Sequence, residues 1–157
     1  MSPFFHIYPD SRDSQGESLL AKTHHIHSLH ADPAAGDPQQ WFVPLNYIVE
    51  IVFFQLFFTT SAAVADRLIN ATIQLDAYTS YAINDSVPHT AGLSRKFAFV
   101  ADGIYSHSPA PPGNIVLPLP RPIFLKGGDN ILIWASAMDA ADQFSNLRVT
   151  CKTWVTP

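Results

Sequence analysis

Leu45-Asn46-Tyr47-Ile48-Val49-Glu50-Ile51-Val52-Phe53-Phe54-Gln55-Leu56-Phe57-Phe58 is the stretch on which the fold turns. Ile, Val and Phe dominate it, and β-branched and aromatic side chains favour a pleated backbone over a helix. It is apolar on both faces. Odd positions supply Ile51, Phe53 and Phe57; even positions supply Val52, Phe54, Leu56 and Phe58. Such a strand is expected to be covered twice, by a sandwich core on one side and by an arm or another subunit on the other. As a membrane span it fails. Pro44, Asn46, Glu50 and Gln55 interrupt it, and it falls short of the roughly 20 apolar residues a helix needs. A glutamate near mid-span would also cost about 2.5 kcal/mol or more. Glu50, the one charge in the run, is expected either to pair with Arg67 or Arg95 on a neighbouring strand or to mark the solvent-facing edge, with pairing favoured.

Downstream of this stretch every regular pattern has period two. Ile69, Ala71, Ile73 and Leu75 alternate with Asn70, Thr72 and Gln74, as in a half-solvated antiparallel strand. A short strand is predicted over Tyr78 to Ile83. Phe97, Phe99 and Ala101 face inward from the next, which Asp102-Gly103 closes as a turn. The run Ile115 to Leu125 contains Pro118, Pro120 and Pro122, so part of it must be edge or irregular. Lys126-Gly127-Gly128-Asp129-Asn130 reads as a hairpin-type turn before a strand from Ile131 to Ala137. Asp139 to Asn146 reads as a polar loop. The last strand sets Leu147, Val149, Cys151, Thr153 and Val155 against Arg148, Thr150, Lys152 and Trp154. Seven or eight strands at this spacing predict an all-β fold, an antiparallel β-sandwich of jelly-roll type.

Upstream the character changes. Residues 1–41 show no sustained period and are rich in His, Pro and Asp. Pro9 to Gly16 is turn-like, Glu17 to Lys22 has room for one or two helical turns, and Asp32 to Pro38 has loop composition. The expected division is an extended N-terminal arm over 1–41, ordered against a partner or neighbouring subunit, and a β-sandwich domain over 42–157.

Composition narrows the function classes. Only 14% of the 157 residues are charged, against about 25% in an average soluble domain. A surface so poor in charge anticipates partners. The net charge of −4, with no basic run or stripe, argues against nucleic acid and anionic membranes as partners. Cys151 is the single cysteine, so no internal disulfide can form, and its alternating apolar context reads as a small buried residue. Met1 to His6 has neither the basic nor the apolar region of a secretory signal, so synthesis in a cytoplasm is expected.

Possible chemical sites are few. His24, His25, His27 and His30 lie within seven residues. Imidazoles this dense can bind a transition metal if the backbone gathers them, but no Cys, Asp or Glu completes a familiar spacing, and contact with a partner is the favoured role. Trp41 and Phe42, at the arm's end, join them as expected partner-binding residues. The carboxylates sit mostly in turns, where Asp accepts local backbone hydrogen bonds. There is no glycine-rich phosphate loop and no nucleophile elbow. No cofactor is implied and no catalytic residue is assigned, so the chain is expected not to be an enzyme. Tyr78, Tyr81, Tyr105, Trp134 and Trp154 are the aromatics able to stack on a sugar ring if exposed.

Three stretches carry a family likeness. They are Thr59-Thr60-Ser61-Ala62-Ala63-Val64-Ala65-Asp66-Arg67 with the strand Leu68 to Leu75; Leu117-Pro118-Leu119-Pro120 with Lys126-Gly127-Gly128-Asp129; and Leu147-Arg148-Val149-Thr150-Cys151-Lys152-Thr153-Trp154. In these the chain resembles small β-sandwich structural proteins of tailed bacteriophages. The resemblance implies a virion component, of the capsid decoration or cement type. It further implies docking on the major capsid protein at the capsid surface, and self-association, with a homotrimer favoured. The alternative is a receptor- or glycan-binding module of a tail or head fibre.

Overall fold

The computed structural model describes residues 5–8, 24–76, 78–107, 113–119 and 123–155, with side chains left out at 5–8, 24–29, 79, 80, 107 and 155. The expected turn at Pro9 to Gly16 and the helical turns at Glu17 to Lys22 lie outside these residues. The strands are β1 (Phe5–Tyr8), β2 (His24–Leu29), β3 (Gln39–Phe42), β4 (Tyr47–Thr59), β5 (Ile69–Leu75), β6 (Tyr78–Asn84), β7 (Ser94–Ala101), β8 (Ser106–His107), β9 (Asn114–Leu119), β10 (Phe124–Lys126), β11 (Asn130–Ala135) and β12 (Gln143–Val155). Among the described residues no helix is long and apolar enough to cross a membrane.

Two sheets pack face to face. Sheet A runs β1-β2-β12-β4-β7-β9-β8, with β10 pairing the start of β4; sheet B runs β3-β11-β5-β6. Four antiparallel pairings define the roll: β2 with β12, β3 with β11, β4 with β7, and β5 with β6. The outermost strands in sequence thus pair with each other, and each inner pair nests within the last. That is a long hairpin wound into two sheets, the jelly-roll arrangement. β8, β9 and β10 are inserted between the sixth and seventh strands of the roll.

The histidine-rich segment is therefore not an appendage to the roll. His24–Leu29 is its first strand, and it covers an edge of β12 that would otherwise present unpaired backbone groups. The division at 41/42 falls inside β3, so the folded unit begins earlier than the composition change implies.

Inward side chains from both sheets make one core. Phe54, Phe58, Phe97, Phe99 and Phe144 from sheet A meet Ile69, Ile73, Ile131 and Ile133 from sheet B, all essentially fully buried. Phe54 and Phe99 are paired across β4 and β7, and their rings stack at 4.4 Å. Each buried side chain of this size contributes about 1.5–3 kcal/mol by leaving water.

The double apolarity of β4 has a geometric cause. The inward residues are Val49 and Ile51 in its first part, then Phe54, Leu56 and Phe58. The phase changes because Cys151 pairs with Ile51 while Thr150 pairs with Phe53, leaving Val52 as an extra residue. This β-bulge puts Val52 and Phe53 together on the outward side. It sits where β4 changes neighbour, from β10 opposite Ile48 to Glu50 to β7 opposite Phe53 to Thr59. A second register shift lies in β12 between Ser145 and Arg148, with Asn146 in a left-handed conformation at φ 54°. That shift lets β12 extend back to Gln143, into the stretch expected to be loop.

Two further expectations change. Lys126 to Asn130 does not close a hairpin; it carries the chain from β10 in sheet A to β11 in sheet B. Asp129 holds this corner, its carboxylate accepting from the Lys126 amide at 2.8 Å and the Asp76 amide at 3.0 Å. Gly128 has φ +95°, and a Cβ on Gly127 would stand 2.9 Å from the Leu45 backbone, so both glycines are required. For Pro118 the proline constraint is met at an edge, since β8 covers β9 only at Ile115 and Val116; Pro120 and Pro122 lie outside the described residues.

Candidate interaction surfaces

The outward side of sheet A is apolar at its centre and charged at its margin. Phe53 lies between Thr150 and Val100 in register, and Val100 pairs onward with Pro118. The next row places Gln55 beside Ala98, which pairs with Val116, and Phe57 beside Lys96. Phe57 is 38% exposed and Phe124 50%. Phe124 is opposite Glu50, and its ring lies 6.0 Å from that of Trp154. Glu50 pairs with Lys152 of β12 at 3.2 Å, both partly exposed, and not with Arg67 or Arg95 as expected. Register decides this, because Lys152 is its direct neighbour across the ladder.

The histidines extend this sheet. His24, His25 and His27 occupy positions opposite Thr153, Lys152 and Thr150, while their side chains lie outside those described. The rows of His25 and His27 are thus those of the outward Lys152 and Thr150. His30 follows β2 and is half-buried, its Nδ1 3.4 Å from Gln39 Nε2. Among the described residues no three His, Cys, Asp or Glu groups converge as metal ligands. Of the other two expected contact residues, Phe42 is exposed, but Trp41 is only 2% exposed and belongs to the core. The alternation within β3 turns one aromatic in and its neighbour out.

Sheet B presents different chemistry. Its outward rows are Trp134 with Asn70 and Asn84; Gln40 with Leu132, Thr72 and Ala82; and Phe42 with Asn130 and Gln74. No Asp, Glu, Lys, Arg or His occupies these rows. Gln40 donates to Asn130 Oδ1 at 3.2 Å, and Asn70 Nδ2 donates to the Leu68 carbonyl at 2.9 Å.

Two buried polar clusters lie away from both outward faces. Arg67 Nε donates to Asp142 Oδ2 at 2.6 Å, with both side chains fully buried. Its other nitrogens donate to the Ala63 and Ala65 carbonyls and to Ser61 Oγ. Asp142 also accepts from the Ser61 amide at 2.7 Å and the Asp139 amide at 2.8 Å. Burial pushes the Asp142 carboxyl up, but these two amides and Arg67 together outweigh it and hold the group below the usual carboxylate value. The cluster ties the connection before β5 to the start of β12. In the second cluster His89 Nε2 is 2.9 Å from Asp85 Oδ2, and Tyr105 donates to Asp85 Oδ1 at 3.5 Å. The His89 ring stands edge-on to Phe97 at 4.9 Å, which locks the β6–β7 connection to the core. Neither cluster was legible as a pair, because the partners meet only after the roll closes.

Cys151 is buried as expected, and burial pushes its thiol up to about 12. A shallow open cavity of about 270 Å³ lies at the corner between the sheets, lined by Ile48, Leu75, Phe124 and Leu125, with the exposed Lys126–Asp76 pair at its mouth. No protein-family model, curated protein or solved structure matches the chain.

Proposed function

We propose that this protein is a non-enzymatic virion structural protein, a capsid decoration or cement subunit that binds and stabilises a major capsid lattice as a homotrimer. One observation carries the proposal: the outward side of sheet A, where Phe53, Val100, Val116, Phe57 and Phe124 form an apolar surface ringed by Lys96, Arg148 and Lys152. An apolar centre with a charged rim is the anatomy of a protein contact rather than of a solvated face. The jelly roll supplies a rigid platform for it, and repeated copies on a lattice turn modest contacts into firm retention. The resemblance of the three sequence stretches to phage β-sandwich proteins is what supports a capsid as that lattice.

Phe57→Glu combined with Phe124→Glu places two carboxylates in that surface. The expected result is a monomer by light scattering and loss of binding to capsids stripped of decoration, with the folded state retained by circular dichroism. A double variant that still associates and still saturates capsids overturns the proposal. Removal of residues 1–40 is not a clean test of arm function, since it deletes the first strand of the roll.

A further inference from the structure

We infer that the outward face of sheet B binds a neutral oligosaccharide, with Trp134 as the stacking platform and the amides beside it reading the hydroxyls. The inference is independent of the capsid proposal, which rests on the opposite face.

Charge complementarity comes first. A charged ligand brought to an uncharged surface loses hydration without gaining a counter-charge. Across its three outward rows this face has no ionisable residue, so it favours a neutral ligand over an anionic one. The contrast with Lys96, Arg148, Lys152 and Glu50 on sheet A shows that the rest of the domain is not built this way.

Hydrogen-bond chemistry comes second. A sugar hydroxyl both donates and accepts, and a carboxamide does the same from one planar group. Asn70 spends its Nδ2 on the Leu68 carbonyl and keeps Oδ1 as an acceptor. Asn84, its direct partner on β6, and Gln74 make no side-chain hydrogen bond among the described residues. Gln40 and Asn130 fix one another, so that end of the face is already oriented.

The third observation is the ring. The Trp134 side chain is 40% exposed on β11, an interior strand held by β3 and β5 on its two sides. An exposed indole on a rigid strand offers the C–H face of a pyranose an apolar partner at low entropic cost. Phe42 flanks the far row, opposite Asn130 and thus four residues along β11, or about 13 Å at the rise of a strand. The two rings mark the ends of a platform with Leu132 between them on β11 and Gln40, Thr72 and Ala82 beside it. A second copy of this chain is the poorer occupant, because Leu132 and Ala82 are the only aliphatic side chains in these rows and amides flank them, whereas the buried centre of a protein contact is more broadly apolar.

The test uses the full chain on an array of immobilised neutral glycans (β-glucans, chito-oligosaccharides, galactans), with sulfated and sialylated glycans as controls, followed by titration calorimetry on the neutral class that binds. Binding of a neutral class is expected, weakened about tenfold or more by Trp134→Ala. Thr72→Asp, which keeps the ring and adds a charge at the centre, is expected to weaken it as well. Bound sugar should also shield tryptophan emission from acrylamide; Trp41 is already buried and Trp154 lies beside Phe124 on the sheet A side, so the change reports on Trp134. Val64→Ser, at a 96% exposed position between β4 and β5, should leave the affinity unaltered. An array with no neutral hit, binding restricted to anionic glycans, or affinity indifferent to both Trp134→Ala and Thr72→Asp overturns the inference.

Discussion

Phe53 in sheet A lies outward between Thr150 and Val100; Thr72 in sheet B lies outward between Leu132 and Ala82. Both positions are central in their sheets; Thr72 faces outward by period-two alternation, and Phe53 by the bulge at Val52. Around Phe53 the surface is apolar with a charged margin; around Thr72, beyond Leu132 and Ala82, it is amide-rich without a formal charge. The difference teaches that a jelly roll, whose inner faces are committed to one core, keeps two outward faces free to diverge. The face next to the long strands has the character of a protein contact, and the opposite face that of a polar-ligand surface.

The comparison presumes that both faces ride on one rigid roll, and the sharpest way to break it is to cut the Arg67–Asp142 strut. Arg67→Met leaves a buried carboxylate without its counter-ion, and we expect a loss of about 4 kcal/mol in urea unfolding. The same strut sets an acid limit. Because the folded Asp142 carboxyl lies below its unfolded value of about 3.9, its contribution is present above that pH and is lost as pH falls through the folded value. Asp142→Asn should flatten that acid limb of the stability profile, and an unchanged limb would show that other carboxylates govern it.

Phe54→Ala should cost about 3 kcal/mol by opening a cavity under the stacked Phe99. Phe57→Ala, three residues along the same strand but outward, should cost within about 1 kcal/mol. Equal costs in denaturant melts would mean that the inward and outward assignments around the Val52 bulge are wrong. The smallest stability effect belongs to Trp134→Ala, within about 0.5 kcal/mol, although it is the substitution expected to matter most for sugar. A large drop in its melting midpoint would mark Trp134 as a packing residue and weaken the contrast between the faces.

Much of this roll was legible in advance. The alternation of Ile69 to Leu75 and of Arg95 to Ala101 placed β5 and β7 and their inward residues, and the two-sided apolarity of Leu45 to Phe58 marked the central strand. The bulge at Val52 was hidden, since an apolar run reads the same whether or not its phase slips. β2 was hidden for a related reason: a histidine-rich strand lacks a period-two hydrophobic signature, and its place is set by the free edge of β12. The partners of Glu50 depended on register, which no single strand encodes. Of the surfaces, the aromatic candidates were visible as residue types, but exposure sorted them: Trp134 and Phe42 emerged outward, while Trp41 went into the core.

Strand character, the pairing of every second side chain on a common face, and the scarcity of charge belong to the sequence alone, because each is a property of the local chain and its composition. Only the tertiary structure decided that β2 pairs with β12, that Lys126 to Asn130 changes sheets, that Arg67 meets Asp142, and which chemistry ends on which outward face. Those outcomes join residues far apart in the chain, and they are selected when the roll closes and its backbone edges, buried charges and core rings all find partners together.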